Sequence, residues 1–230
     1  MKRTKKETIL RIVILFIGLV IAHFGVTLFL LSNLGADPFN VLIQGFFRSM
    51  TEATGWSFLS HGNVHQAACL LIILVLLFVD KSYIKIGTTL CMFCGGPIID
   101  FFTWLMVLVF GESYSLAVKI VMLVLGCVIL AFGMTIVIKS DAGTGPNDLV
   151  AIVISDKSKI RFGIMRIAVD FTFVLIGALL GGIFGVGTIV CAFLVGPIAD
   201  FFLPKNEKMI GRILKKFMDP SNCDQSSGCK

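Results

Sequence analysis

Asp37 and Asn40 stand in the stretch GADPFN, residues 35–40, and Asn147 and Asp148 stand in GTGPND, residues 143–148. Each stretch sets carboxylate and amide oxygens beside a proline and glycines. Proline suits the first turn of a helix, where its missing N–H costs nothing. The glycines before it permit a tight backbone turn. A helix beginning there presents unpaired N–H groups and the positive end of its dipole to whatever lies ahead. Residues of these types can hold a small polar solute, and Asp37, Asn40, Gly143, Thr144, Gly145, Asn147 and Asp148 are the candidate binding residues. The expected chemistry is binding and not catalysis. The chain has no Walker loop, no H-E-x-x-H and no G-x-S-x-G, so no enzyme, cofactor or metal site is expected.

Asp100 and Asp200 form a second constellation. They close the runs GPIIDFF and GPIADFF inside apolar segments. An intramembrane carboxylate is costly and marks a functional site by default, so the pair is assigned to proton or cation coupling, or to gating. The alternative is that each lies near the interface and caps the N-terminus of a neighbouring half-helix. Asp170 follows Arg166 by four residues, one helical turn, and the two are expected to form a structural ion pair. His23 and His65 read as satisfied polar residues. Cys69, Cys91, Cys94, Cys127 and Cys191 read as small apolar residues of spans. Cys223 and Cys229 read as reduced thiols of a cytoplasmic tail.

The elements that must position these residues are membrane helices. Of 230 residues, 57% are hydrophobic, and the mean hydropathy is +0.95. Apolar stretches of ~18 or more residues with few charges read as transmembrane helices, and six are expected, at about 9–32, 62–79, 86–110, 115–138, 162–182 and 183–203. The last two are separated only by Gly181, Gly182 and Gly185. A cleavable signal peptide is not expected, because the first apolar run is too long and ends without a small-residue cleavage site. With the N-terminus inside, Lys2, Arg3, Lys5, Lys6, Lys81, Lys85, Lys157, Lys159, Arg161 and the basic cluster from Lys205 to Lys216 all face the cytoplasm. The outer side keeps Arg48, Lys119, Glu52 and Glu112. That asymmetry follows the positive-inside rule and makes the net charge of +6 an orientation signal, not a sign of nucleic-acid binding.

The chain also repeats itself. GTTLCMFCGGPIIDFF (87–102) matches GTIVCAFLVGPIADFF (187–202), and SNLGADPFN (32–40) matches SDAGTGPND (140–148). The halves are 1–110 and 111–204, followed by a tail, 205–230. Three spans per half send the second half in from the opposite side, so the expected fold is all-α: about six transmembrane helices in two inverted three-helix repeats, an arrangement common in secondary transporters. PFNVLIQGFF and PNDLVAIVIS are each long enough for a helix through half the hydrocarbon layer. Both are read as re-entrant half-helices. Interfacial helices, or eight full spans, are the alternatives, and the charge rule disfavours the second.

The duplicated Gly/Pro motifs and the GPIIDFF/GPIADFF pair resemble those of the YczE/YitT group of bacterial integral membrane proteins, over residues 10–203. The resemblance implies a multi-pass protein of the bacterial inner membrane and names no substrate. The sequence thus predicts a secondary transporter or exporter of a small polar, possibly charged, metabolite or ion. Its partners would be the bilayer and its solute, with a homodimer compatible with its small size. The alternatives are an accessory or scaffold protein for a partner enzyme, and the substrate-binding subunit of a multi-component importer.

Overall fold

The computed structural model describes residues 4–55, 61–111 and 114–218. Lys2, Arg3, Glu112, Cys223 and Cys229, which the sequence reading used, lie outside them. Among the described residues there are eight α-helices: α1 (Lys5–Ser32), α2 (Pro38–Thr54), α3 (His61–Val79), α4 (Ile86–Phe110), α5 (Leu116–Ser140), α6 (Pro146–Ser158), α7 (Phe162–Leu179) and α8 (Val186–Met218). Five of them, α1, α4, α5, α7 and α8, are long and apolar enough to cross a membrane. The remaining expected span, α3, carries a shorter apolar stretch, Asn63–Val79, at the lower end of the ~17–25 residues a span needs. The glycine run at 181–185 does separate two helices. Gly181 takes φ +86°, and α2 holds the turn through Arg48 Nη1 to the Gly181 carbonyl at 3.0 Å and Ile183 N–H to Gln44 Oε1 at 2.7 Å.

The centre of the molecule is the crossing of α1 and α5. Lipid tails are as apolar as leucine, so helices in a membrane associate through close packing, which small residues permit. A Cβ built on Gly25 would lie 2.7 Å from the Gly126 carbonyl oxygen and 2.9 Å from Leu130 Cα. One built on Gly133 would lie 2.7 Å from both the Gly18 oxygen and Ala22 Cα. Around this axis α4 packs on α1, α8 on α5, α2 on α7 and α3, and α6 on α7 and α3.

The two Gly/Pro stretches fold alike. Ser32 and Ser140 end their helices by donating to the Phe29 and Val137 carbonyls, each at 2.6 Å. Asn33 and Asp141 then take left-handed backbone, φ 51° and 58°. The Leu34 carbonyl accepts from Gly187 N–H, and the Ala142 carbonyl from Gly87 N–H, both at 2.9 Å. Gly35 and Gly143, at φ +156° and +141°, sit where a side chain would strike the facing backbone: Thr188 N at 2.8 Å and Gly87 C at 2.7 Å. Pro38 and Pro146 open α2 and α6, as their chemistry requires.

Three lengths differ from expectation. Helices α2 and α6 run 17 and 13 residues, not ten, because polar residues prolong both until Gly55 and Lys159 turn left-handed at φ 64° and 58°. Helix α8 does not end near 203. It continues through Pro204 to Met218, because its far turns find a buried face: Ile210, 2% exposed, packs on Ile14 and Ile136, and Asn206 donates to Thr135 Oγ1 at 2.7 Å. Ile210→Ala should therefore lower stability by about 2–4 kcal/mol, read as the thermal midpoint in detergent. An unchanged midpoint would mean that the end of α8 does not pack on α1 and α5.

Candidate functional site

A cavity of about 280 Å³ lies among all eight helices. The starts of α2 and α6 both line it: Asp37, Pro38, Phe39 and Asn40 on one side, Gly145, Pro146, Asn147 and Asp148 on the other. Helix α1 contributes Leu19, Ala22, His23 and Val26, all from its middle. His65 comes from α3, Gly95 from α4, Met134 from α5, Arg166 from α7 and Cys191 from α8. The Gly/Pro motifs of the two sequence halves thus meet in one chamber, because the loop before each helix is pinned to the facing half by its single backbone bond.

The charges are organised around Arg166. Its Nε donates to Asp170 Oδ2 at 2.9 Å, and its Nη1 to Asp148 Oδ1 at 2.5 Å. Asp170 is 1% exposed, and its other oxygen, Oδ1, has no hydrogen-bond partner. The expected Arg166–Asp170 pair is present, and it is part of a triad that reaches the chamber through Asp148. Burying charges is costly unless they are paired and hydrogen-bonded. The triad satisfies Arg166 twice and leaves one fully buried carboxylate oxygen, Asp170 Oδ1, over. Across the chamber, Asp37 caps its own helix: Oδ1 accepts the Asn40 N–H at 3.2 Å, and Oδ2 accepts the Asn40 side-chain amide. His65 sits edge-on against the Phe39 ring, 5.3 Å between centroids.

The seven expected binding residues are divided. Asp37, Asn40, Gly145, Asn147 and Asp148 line the chamber. Gly143 and Thr144 line instead a separate, charged cavity of about 720 Å³, with Arg11, Lys85, Lys139, Asp141, Asp156 and Glu207. The peptide between Thr144 and Gly145 marks the boundary between the two. Asp141 there accepts from Lys85 Nζ and lies 3.8 Å from Arg11 Nη1, while Arg11 also donates to the Ser140 carbonyl at 3.0 Å. This cluster fastens α1 and the start of α4 to the turn before α6.

Asp100 and Asp200 line neither cavity. Asp200 Oδ1 accepts Gly163 N–H at 2.8 Å, in the first turn of α7; it does cap a helix, but one of spanning length and not a half-helix. Asp100 is exposed on α4. Among the described residues no group of three His, Cys, Asp or Glu side chains comes together to hold a metal, and Cys69, Cys91, Cys94, Cys127 and Cys191 are free. The residues that sequence reasoning set aside, His23 and His65, do line the chamber, as does Arg166. A polar side chain within an apolar helix was the available signal for each. What it lacked was a direction, which only the neighbouring helices supply.

Comparison with known proteins agrees with a membrane assignment and with the YczE resemblance. The chain is 28% identical over 208 residues to an uncharacterized membrane protein, YczE, of Bacillus subtilis (strain 168), covering 90% of this chain and 91% of that one. It is 27% identical over 190 residues to an uncharacterized protein of Haemophilus influenzae, covering 83% and 82%. It is 28% identical over 195 residues to the uncharacterized protein YyaS of Bacillus subtilis, covering 84% and 92%. No solved structure matches it. With residues 9–204 matching a single family model, the chain belongs to DUF6198, a family of unknown function whose member here is a multi-pass, all-helical membrane protein.

Proposed function

We propose that the protein is a small secondary transporter that binds a small polar solute in the central chamber. The observation that carries this is the meeting of two helix starts, one from each sequence half, beside the middle of α1. Inverted repeats with broken helices meeting near the membrane midplane are a common plan of secondary transporters. The paired backbone bonds, Gly87 to Ala142 and Gly187 to Leu34, support such a two-fold relation. So does the depth of α2: Asp37 lines the same chamber as His23, which precedes the end of α1 by nine residues. That is roughly 14 Å along the helix, a depth that supports a chain doubling back before α2 begins. On this reading both α2 and α6 re-enter the membrane, and the N-terminus, the α3–α4 turn and α8's basic end face the cytoplasm.

Asp148, in place of Asp100 or Asp200, is the residue that responds to the solute. As it turns toward a bound solute, the unpartnered Asp170 Oδ1 is available for the N–H that Arg166 loses. Arg166 therefore stays neutralised in both states. One half would then rock against the other, opening the chamber to each side in turn. The cap made by Asp200 instead suits the accessory-protein reading, since it gives that carboxylate a structural task. It leaves the chamber unexplained.

Thermal stability of the purified protein against a panel of small metabolites tests the proposal. A solute at 100 times its dissociation constant should add about 2.7 kcal/mol, and Asp148→Asn should abolish the gain. Silence across the panel, with Asp148→Asn as stable as the parent, would favour the accessory reading. Topology is tested separately. Ser82 is exposed in the α3–α4 turn, beside Tyr83, whose hydroxyl donates to Asp156. Ser82→Cys, in a chain lacking native cysteines, should react with an impermeant thiol reagent only from the cytoplasmic side. Labelling from outside alone would invert the orientation.

A further inference from the structure

We infer that the solute of this chamber is a small organic cation, an amine or guanidinium compound, and not an anion. The inference rests on the transporter reading for the claim that the chamber is used, and adds the class of molecule that fits it. Two helix starts by themselves would favour an anion. Here each already faces a carboxylate of the protein. Asp37 caps α2. The start of α6 has no side-chain cap, but it carries Asp148 in its first turn, which sets a negative charge against the positive end of that helix. Arg166, the cation of the chamber wall, has Nε and Nη1 committed to two carboxylates.

What is offered to a solute is a set of acceptors. Asp37, Asp148 and the nearby Asp170 carry three negative charges against the single charge of Arg166. His23 adds another acceptor. Its Nδ1 is 2.8 Å from the Leu19 carbonyl, and a carbonyl only accepts, so Nδ1 carries the hydrogen and Nε2 is left with its lone pair. That nitrogen faces α4 at Gly95, where a built Cβ would approach it to 2.6 Å; only the absence of a side chain keeps the space before it open. The chamber, about 280 Å³, lies just below the range of ligand pockets, roughly 300–1,000 Å³, which favours a solute smaller than a lipid or a peptide. With no three-residue metal cluster among the described residues, an organic ammonium fits better than a bare metal ion. Asp37 and Asp148, on opposite helix starts, would hold it between the two halves.

Charge-selective thiol labelling tests this without knowing the solute. Asn147→Cys, in a chain whose seven native cysteines are replaced by serine or alanine, is purified in detergent and checked for an unaltered thermal midpoint. Three methanethiosulfonates are compared: methyl (neutral), trimethylammonioethyl (cationic) and sulfonatoethyl (anionic), each rate divided by its rate with free mercaptoethanol. The cationic reagent should exceed the anionic one by about tenfold, and Asp37→Asn should reduce that ratio severalfold. Neutral labelling with the anionic reagent equal to or faster than the cationic one would overturn the cation assignment and leave the transporter reading standing. No labelling by any of the three would mean a chamber closed to water, and both would fall.

Discussion

Arg166→Met should destabilise the folded protein by about 3–5 kcal/mol, the largest loss expected from any single polar substitution in the chamber. The guanidinium binds Asp170 and Asp148 at once, through different nitrogens. Removing it leaves two facing carboxylates, one of them 1% exposed, without a counter-charge in a low-dielectric interior. Lysine should not rescue it, because one ammonium lacks the planar fork that reaches both partners. The charge-free triple variant, Arg166→Met with Asp148→Asn and Asp170→Asn, should recover much of the loss, since a buried ion cluster replaced as a whole is often close to neutral. Size-exclusion behaviour and thermal midpoints in detergent measure all three. A parental midpoint for Arg166→Met would show that the triad does not hold α6 against α7.

Gly25→Val and Gly133→Val should each cost about 1–3 kcal/mol and together prevent assembly of a folded, monodisperse protein. At both positions the nearest atoms across the crossing are backbone, Leu130 N and Ala22 N, with further backbone atoms between 2.7 and 2.9 Å from the built Cβ, and backbone cannot rotate away as a side chain can. Helices α1 and α5 would have to separate along their length, and every helix packed on that axis would follow. Gly96→Ala is the control. It lies on α4 in the same chamber, with nothing within 4 Å of a built Cβ, and alanine there should be neutral or mildly stabilising. Equal losses at Gly25 and Gly96 would refute close packing as the cause.

Much of the fold was legible because it is local. Pro38 and Pro146 begin helices wherever the chain goes, since their chemistry acts on their own φ and N–H. The break at 181–185 follows from glycine's backbone freedom, and the Arg166–Asp170 pair follows from the rise of a single helix. The spans were readable from hydropathy alone. Even the meeting of the two Gly/Pro motifs was implied by the repeat, because related halves place related segments in related positions. Pro204 misled in the other direction. It removes one backbone bond, but three turns of α8 beyond it find apolar cover on α1 and α5, and that packing outweighs the lost bond.

From the sequence alone came an all-helical membrane protein, with about six expected spans and two proline-started helices carrying the polar residues; that five helices have spanning length and the sixth, α3, is shorter came from the structure. Which of those residues share a chamber was set by the packing of the helices: Asp148 with Arg166 across 18 residues, Asp37 opposite them, Gly143 and Thr144 in the other cavity, Asp200 as a cap. The reason is physical. In a soluble protein an apolar stripe says which face of a helix turns inward. In these helices lipid and protein both accept apolar side chains, so no face is marked by hydropathy, and the choice falls to close-packed glycines and to hydrogen bonds whose partners lie in distant parts of the chain.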